Sequence, residues 1–101
     1  MVEENAIYEV VVTADFLDDL DAAVDYIEFE LGSPVAARKM YYAIKAKVEA
    51  LAVMPTVALA YAAGNGDTRY KFFYGNYVVH FAIEGAIVRV LALKHQLQNP
   101  E

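Results

Sequence analysis

Apolar and polar residues change rhythm several times along this chain, and each change marks an element. From Thr68 to His95 the sequence TRYKFFYGNYVVHFAIEGAIVRVLALKH alternates, or runs apolar, around two tight-turn signals, Gly75-Asn76 and Glu84-Gly85. Each suits a two-residue hairpin loop that needs positive φ, so the stretch predicts three antiparallel strands. Counting outward from such loops, Tyr74 faces Tyr77, Phe72 faces Val79 and Tyr70 faces Phe81 across the first turn. Phe81 faces Val88 and Val79 faces Val90 across the second. Side chains alternate with period two, so all of these share one face. That face is apolar or aromatic throughout and is expected to be the buried one.

The opposite face is the source of candidate chemistry. In the same register Lys71 comes opposite His80, and His80 opposite Arg89, a row across three strands. Arg69 lies one step along the first strand on that side, and His95 shares the parity of Arg89. Lysine and arginine are ordinary solvated residues on the outer face of a meander. Like charges directly opposite one another are nevertheless mildly destabilising, so folding alone does not favour such a row.

Earlier in the chain, Ile7 to Val12 is β-branched and aromatic and reads as a strand, dense enough in apolar residues for an interior position. Thr13 fits an N-cap, with Asp15 and Asp18 in the first turns, where carboxylates suit the helix dipole. Leu17, Leu20, Val24, Ile27 and Leu31 recur at helical spacing and predict an amphipathic helix over 14–31. Its carboxylates, Asp18, Asp19, Asp21, Asp25 and Glu28, have no histidine beside them and read as a solvated face. Gly32 closes this helix, and Ser33-Pro34 opens a second, which runs to about Ala52. Ala37, Met40 or Tyr41, Ile44, Val48 and Leu51 form its apolar stripe, and Arg38, Lys39, Lys45 and Lys47 its basic side. So short a connection predicts an antiparallel helical hairpin. Met54-Pro55 ends it, residues 56–67 read as an unusually apolar loop, and Gln96 to Glu101 as a polar tail. The fold class is α+β: strand, helical hairpin and three-stranded meander, with the helices on one sheet face.

Composition narrows the picture. The 101 residues suffice for a single domain, 1–101, and are too few for two. No cysteine is present, which excludes a disulfide framework and thiol catalysis and is compatible with a cytoplasmic protein. The acidic start does not resemble a signal peptide, and no uncharged apolar run is long enough to span a bilayer. The net charge of −6 speaks against nucleic acid as a partner. It is unevenly spread: residues 1–31 hold ten acids and no Lys or Arg, whereas residues 32–101 hold all eight Lys and Arg against four acids. This asymmetry points to a polarised surface or to charge pairing between the two helices.

Motifs for other chemistry are missing. The chain has no Gly-rich phosphate loop, no HExxH, no cysteine-based zinc spacing and no GxSxG elbow. Two histidines without cysteines predict no structural metal and no cofactor. Aromatic residues interleave with Arg69 and Lys71 as in single-strand binders, but the register assigns Tyr70, Phe72 and Tyr74 to the core.

The segments YEVVVTADFLDDLDAAVDYI, SPVAARKMYYAIKAKVEAL, MP, TRYKFFYGNYVVHFAI and VLALKH, in this order and spacing, resemble the RelE/ParE superfamily of toxins. These belong to type II toxin–antitoxin modules, also called plasmid stabilisation systems, and the resemblance covers about residues 7–98. It implies a small α+β toxin silenced by a cognate antitoxin. RelE-like members cut mRNA on the ribosome without metal, using basic residues on the exposed sheet face and near the C-terminus. ParE-like members share the fold, poison DNA gyrase and are not nucleases.

On this resemblance Arg69 and Lys71 match two basic positions on the strand that enters the meander. In a nuclease they would hold the scissile phosphate and stabilise its developing charge. Cleaving members carry Arg directly after the Tyr of the following strand, whereas this chain reads Tyr77-Val78-Val79-His80-Phe81 and places Val78 there. His95 matches a histidine of several branches, but the basic and tyrosine residues that follow it in cleaving members are missing. His80, two residues from Val78 on the same face, could act as a proton acceptor, because neighbouring cations lower its pKa. The expectation is therefore a toxin whose face of Arg69, Lys71, His80, Arg89 and His95 binds a partner. It is ParE-like or catalytically reduced rather than an mRNA endoribonuclease that uses Arg69, Lys71, His80 and His95. A non-toxic binding module with the same fold is the reading from another class. The sequence leaves the oligomeric state open.

Overall fold

The structure, a computed structural model, describes residues 7–53, 55 and 58–96. The loose start expected at Met1–Asn5, Met54, the first residues of the 56–67 loop and the tail beyond Gln96 lie outside the described residues. The elements are β1 (Glu9–Val12), α1 (Ala14–Asp25), α2 (Pro34–Ala50), β2 (Leu59–Ala62), β3 (Thr68–Tyr74), β4 (Tyr77–Glu84) and β5 (Ile87–His95). They form one five-stranded sheet in the order β1-β5-β4-β3-β2, antiparallel except where β1 runs parallel to β5.

The meander and the helical hairpin form as expected, with two additions to the sheet. Part of the apolar 56–67 stretch is not loop but strand, since β2 pairs with β3 through Leu59↔Lys71 and Tyr61↔Arg69. β1 is an edge strand rather than an interior one. Its apolar character serves its inner face, where Val10 packs on the core.

Local chemistry sets the helix ends. The Thr13 hydroxyl accepts from Phe16 N–H at 3.1 Å, and Ser33 accepts from Ala36 N–H at 3.2 Å ahead of Pro34. α1 continues into a π-helical turn over Tyr26–Glu30, where Leu31 N–H reaches back to Tyr26 O. Gly32 then adopts φ 67°, the left-handed conformation that ends helices. The buried stripe of α1 is Phe16, Leu20 and Ala23, flanked by Val24 and Ile27. Leu17 and Leu31, expected within it, are exposed.

The core lies between the hairpin and one face of the sheet. Met40, Ile44, Val48 and Leu51 of α2 meet Val79, Phe81, Val88, Val90 and Leu93. Tyr70 stacks on Phe81 with ring centres 5.5 Å apart, so the aromatic residues of β3 do serve the core. Among the described residues, no acid of α1 forms an ion pair with a base of α2. Lys45 binds Glu49 one turn along its own helix, and Asp19 turns to the sheet. No helix among the described residues is long and apolar enough to cross a membrane.

Candidate functional site: the open face of the sheet

The first hairpin has the expected register, with Tyr74↔Tyr77 and Lys71↔His80 across a Gly75-Asn76 loop. The second does not. Its loop is Gly85-Ala86, because Glu84 pairs with Ile87. Only Gly85 has positive φ, at 62°, which is the requirement of a type II′ turn and spares Glu84 that strain. Consequently Phe81 pairs with Val90 rather than Val88, and Arg89 lies opposite Ala82 rather than His80.

A β-bulge then shifts the register once more between His80 and Phe81. His80 pairs with Ala92, Val79 with Leu93, Val78 with Lys94 and Tyr77 with His95. The extra residue in β5 exchanges the faces of everything beyond it. His95 therefore leaves the basic face for the helix side, where its ring meets Tyr77 edge-on at 4.8 Å. It lines a pocket there with Asp19, Tyr26 and Tyr77. Lys94, which strict alternation would have buried, takes the open-face position opposite Val78.

The start of α1 holds this bulge. β1 stops at Val12↔Val90, and beyond it the edge of β5 has no strand beside it among the described residues. Thr13 covers the gap, with its N–H donating to Val90 O at 3.0 Å and its hydroxyl to Val90 O at 2.9 Å, with Leu91 O at 3.2 Å. Nearly two turns on, the Asp19 carboxylate accepts the Leu93 N–H at 3.0 Å and lies 3.7 Å from the Lys94 ammonium. Asp19 was expected on a solvated face. It instead takes the place of a neighbouring strand.

On the open face, the Tyr61 hydroxyl lies 2.8 Å from His80 Nδ1, reaching from β2 across β3 to β4. Tyr61 was not among the sequence candidates, because its strand read as loop. Burial pushes the His80 pKa below its usual 6.5, with Lys71 and then Lys94 adding to the effect. Burial likewise raises the Tyr61 phenol, against a smaller opposing effect of Arg69. Near neutral pH His80 is thus uncharged and Tyr61 keeps its proton. A phenol is a better donor than a neutral imidazole, so this contact favours the tautomer in which Tyr61 donates to Nδ1 and the ring proton sits on Nε2.

The cations are largely committed. Arg69 lies 3.5 Å from Asp67, Arg89 3.0 Å from Glu84, and Lys94 3.7 Å from Asp19. Lys71 has no carboxylate partner among the described residues and sits over the rings of Tyr61 (5.2 Å) and Phe73 (5.8 Å). Val78, on the middle strand of the sheet and one pair from the Gly75-Asn76 turn, is only 8% exposed. No three His, Asp or Glu among the described residues converge as a metal-binding group. The structure therefore keeps Arg69, Lys71, His80 and Arg89 on one face, removes His95, and adds Tyr61 and Lys94.

The model of the ParE toxin family of type II toxin–antitoxin systems, parDE, matches residues 10–100. The chain belongs to that family and so to the wider RelE/ParE superfamily. A solved chain from the chromosomal ParDE toxin–antitoxin system of P. aeruginosa superimposes with a TM-score of 0.72. It is 18% identical in sequence, and the match covers 89% of this chain and 97% of that one, a likeness of fold. No curated protein matches the chain in sequence.

Proposed function

We propose that this ParE-family chain is a cytoplasmic toxin, neutralised by a cognate antitoxin, that acts on DNA gyrase rather than by cutting mRNA. The observation that carries the choice of target is Val78. On the open face, at the position where a cleaving relative would present an arginine to phosphate, the chain has a buried apolar side chain. Lys94 opposite it, and Arg69 and Arg89 farther along the same face, are paired to carboxylates of the same molecule. Phosphate binding gains its strength from cations free to displace counterions, and this face offers few.

Expression without the antitoxin should arrest growth, and the purified protein should inhibit supercoiling by gyrase. Ribosome-dependent mRNA cleavage that is lost in Lys71→Ala or His80→Ala would reverse the assignment in favour of a nuclease. Normal growth at high soluble expression would instead favour a non-toxic binding module.

A further inference from the structure

Besides its buried stripe, α2 carries a second pattern. Ala37, Met40, Ile44 and Val48 are the buried residues of the helix. On the opposite side Val35, Lys39, Tyr42, Ala46, Glu49 and Val53 follow one another at alternating spacings of four and three. That alternation is the seam of a coiled coil. α2 ends at Ala50, but the amides of Leu51, Ala52 and Val53 bond three residues back, which carries the seam on to Val53. Val35, Tyr42 and Val53 are 75%, 60% and 51% exposed, so the neighbouring α1 leaves this side of α2 uncovered.

Single exposed apolar residues are ordinary on a surface helix. The order of these six is not, because it is reciprocal about Ile44. Val35 and Val53 lie nine positions to either side of Ile44, Lys39 and Glu49 five, and Tyr42 and Ala46 two. A second α2 laid antiparallel, with a two-fold axis at this level, therefore meets the first in complementary layers. Val35 faces Val53 of the other copy, Lys39 faces Glu49, and Tyr42 faces Ala46, a large side chain over a small one. Each layer occurs twice by symmetry. A parallel pair would instead set Lys39 on Lys39 and Tyr42 on Tyr42.

The charges are available for this pairing. Lys39 has no carboxylate partner among the described residues. Glu49 binds Lys45 at 2.8 Å, but both side chains are exposed. Such a surface pair contributes little, and the carboxylate keeps lone pairs for a second cation.

We propose that the outer side of α2 is a self-association surface, on which two copies of this chain pair antiparallel as a two-fold dimer. The helices lie on one face of the sheet, so this pairing leaves both open faces uncovered and turned away from each other. The dimer forms whichever target those faces meet. With 17 residues α2 is about 25 Å long, and one helix seam lies at the small end of specific interfaces. The dimer is therefore weak, forming at micromolar or higher concentration.

Sedimentation of the purified chain over a range of concentrations should show a monomer–dimer equilibrium. NMR shifts on concentrating the labelled chain should fall on Val35, Lys39, Tyr42 and Ala46. Lys39→Glu and Glu49→Lys each make two attractive layers repulsive and should weaken the dimer about tenfold or more. An equimolar mixture of the two variants restores both layers and should dimerise like the parent. So should Lys39→Glu/Glu49→Lys, which keeps the net charge. All three alter exposed side chains, so melting temperatures close to that of the parent are expected and confirm folding. The proposal is overturned if the chain stays monomeric up to about 1 mM, if the shifts lie on the open face or the strand edges, or if the mixture associates no better than either variant alone. It is equally overturned if the isolated chain is monomeric and only a cognate antitoxin covers α2.

Discussion

Tyr61 and His80, nineteen residues apart, are joined by a 2.8 Å hydrogen bond that spans an entire intervening strand. The bond ties the edge strand β2 to the centre of the sheet on the side opposite the helical hairpin, where no helix among the described residues holds it. It also fixes the imidazole, because a phenol donating to Nδ1 selects the tautomer with Nε2–H. Two consequences can be measured separately, one in stability and one in titration.

Tyr61→Phe keeps the ring over which Lys71 sits and removes only the hydroxyl. The expected loss of stability is about 1 kcal/mol, the net worth of one half-buried hydrogen bond, read from urea unfolding. The ¹⁵N shifts of the imidazole should change from one tautomer to a mixture. An unchanged tautomer in Tyr61→Phe would show that the hydroxyl does not select it.

His80 titrates below 6.5 in the folded protein because burial, Lys71 and Lys94 oppose its charge. A lowered histidine pKa means that the unfolded chain binds the proton more readily. His80 thus contributes stability above its unfolded pKa, and this is lost as pH falls below about 6.5 through the folded value. Lys71→Met and Lys94→Met should each raise the His80 pKa, whereas Arg89→Met should leave it nearly unchanged. Titration of the imidazole proton by NMR distinguishes these outcomes. The comparison also tests the strand register, since the simple two-residue count would make Arg89 the cation facing His80.

The limits of the sequence are visible in these same strands. Gly75-Asn76 was legible because glycine at the first loop position and alternation on both sides agree. Glu84-Gly85 reads as the second loop in the sequence, but the loop that forms is Gly85-Ala86, because Gly85 takes positive φ while Glu84 does not. The bulge left a trace as well. Strict alternation through Val90-Leu91-Ala92-Leu93-Lys94 would bury Lys94 and expose Leu93, a conflict that one extra residue relieves. Helix boundaries and the stripe of α2 followed from local caps and spacing, which depend on neighbours in sequence. Tyr61, Asp19 and the true face of His95 depend on contacts between distant segments, and no local pattern carries those.

Thr13 combines two roles, as the cap of α1 and as the donor to the carbonyls of the bulge. Thr13→Val preserves shape and removes both. The expected cost is about 2 kcal/mol, the upper range for a lost N-cap, because the Val90 carbonyl also loses a partner. Thr13→Ser should recover most of it. Loss of the bulge would also free His95 from Tyr77, so ring-current shifts of these two residues report whether the register of β5 survives. A cost in Thr13→Val no larger than that of an exposed surface substitution would refute this account of the bulge.

Asp19 gives the sharpest contrast with what its neighbours suggest. Asp18 and Asp21 flank it in the same acidic helix, both exposed and without an ion pair among the described residues. Only Asp19 accepts a strand N–H, that of Leu93, at an edge where β1 has ended. Asp19→Ala leaves this part-buried donor without its acceptor, at an expected cost of about 1 to 3 kcal/mol. Asp18→Ala and Asp21→Ala should stay within about 0.5 kcal/mol of the parent, as surface substitutions generally do. Asp19→Asn keeps an acceptor oxygen and should fall between them, losing only the attraction to Lys94. Hydrogen exchange at the Leu93 amide provides the local readout, with protection expected to fall in Asp19→Ala and to persist in Asp19→Asn. Equal effects of alanine at all three aspartates would mean that the acidic face acts only through its summed charge, and the edge-capping role of Asp19 would then be withdrawn.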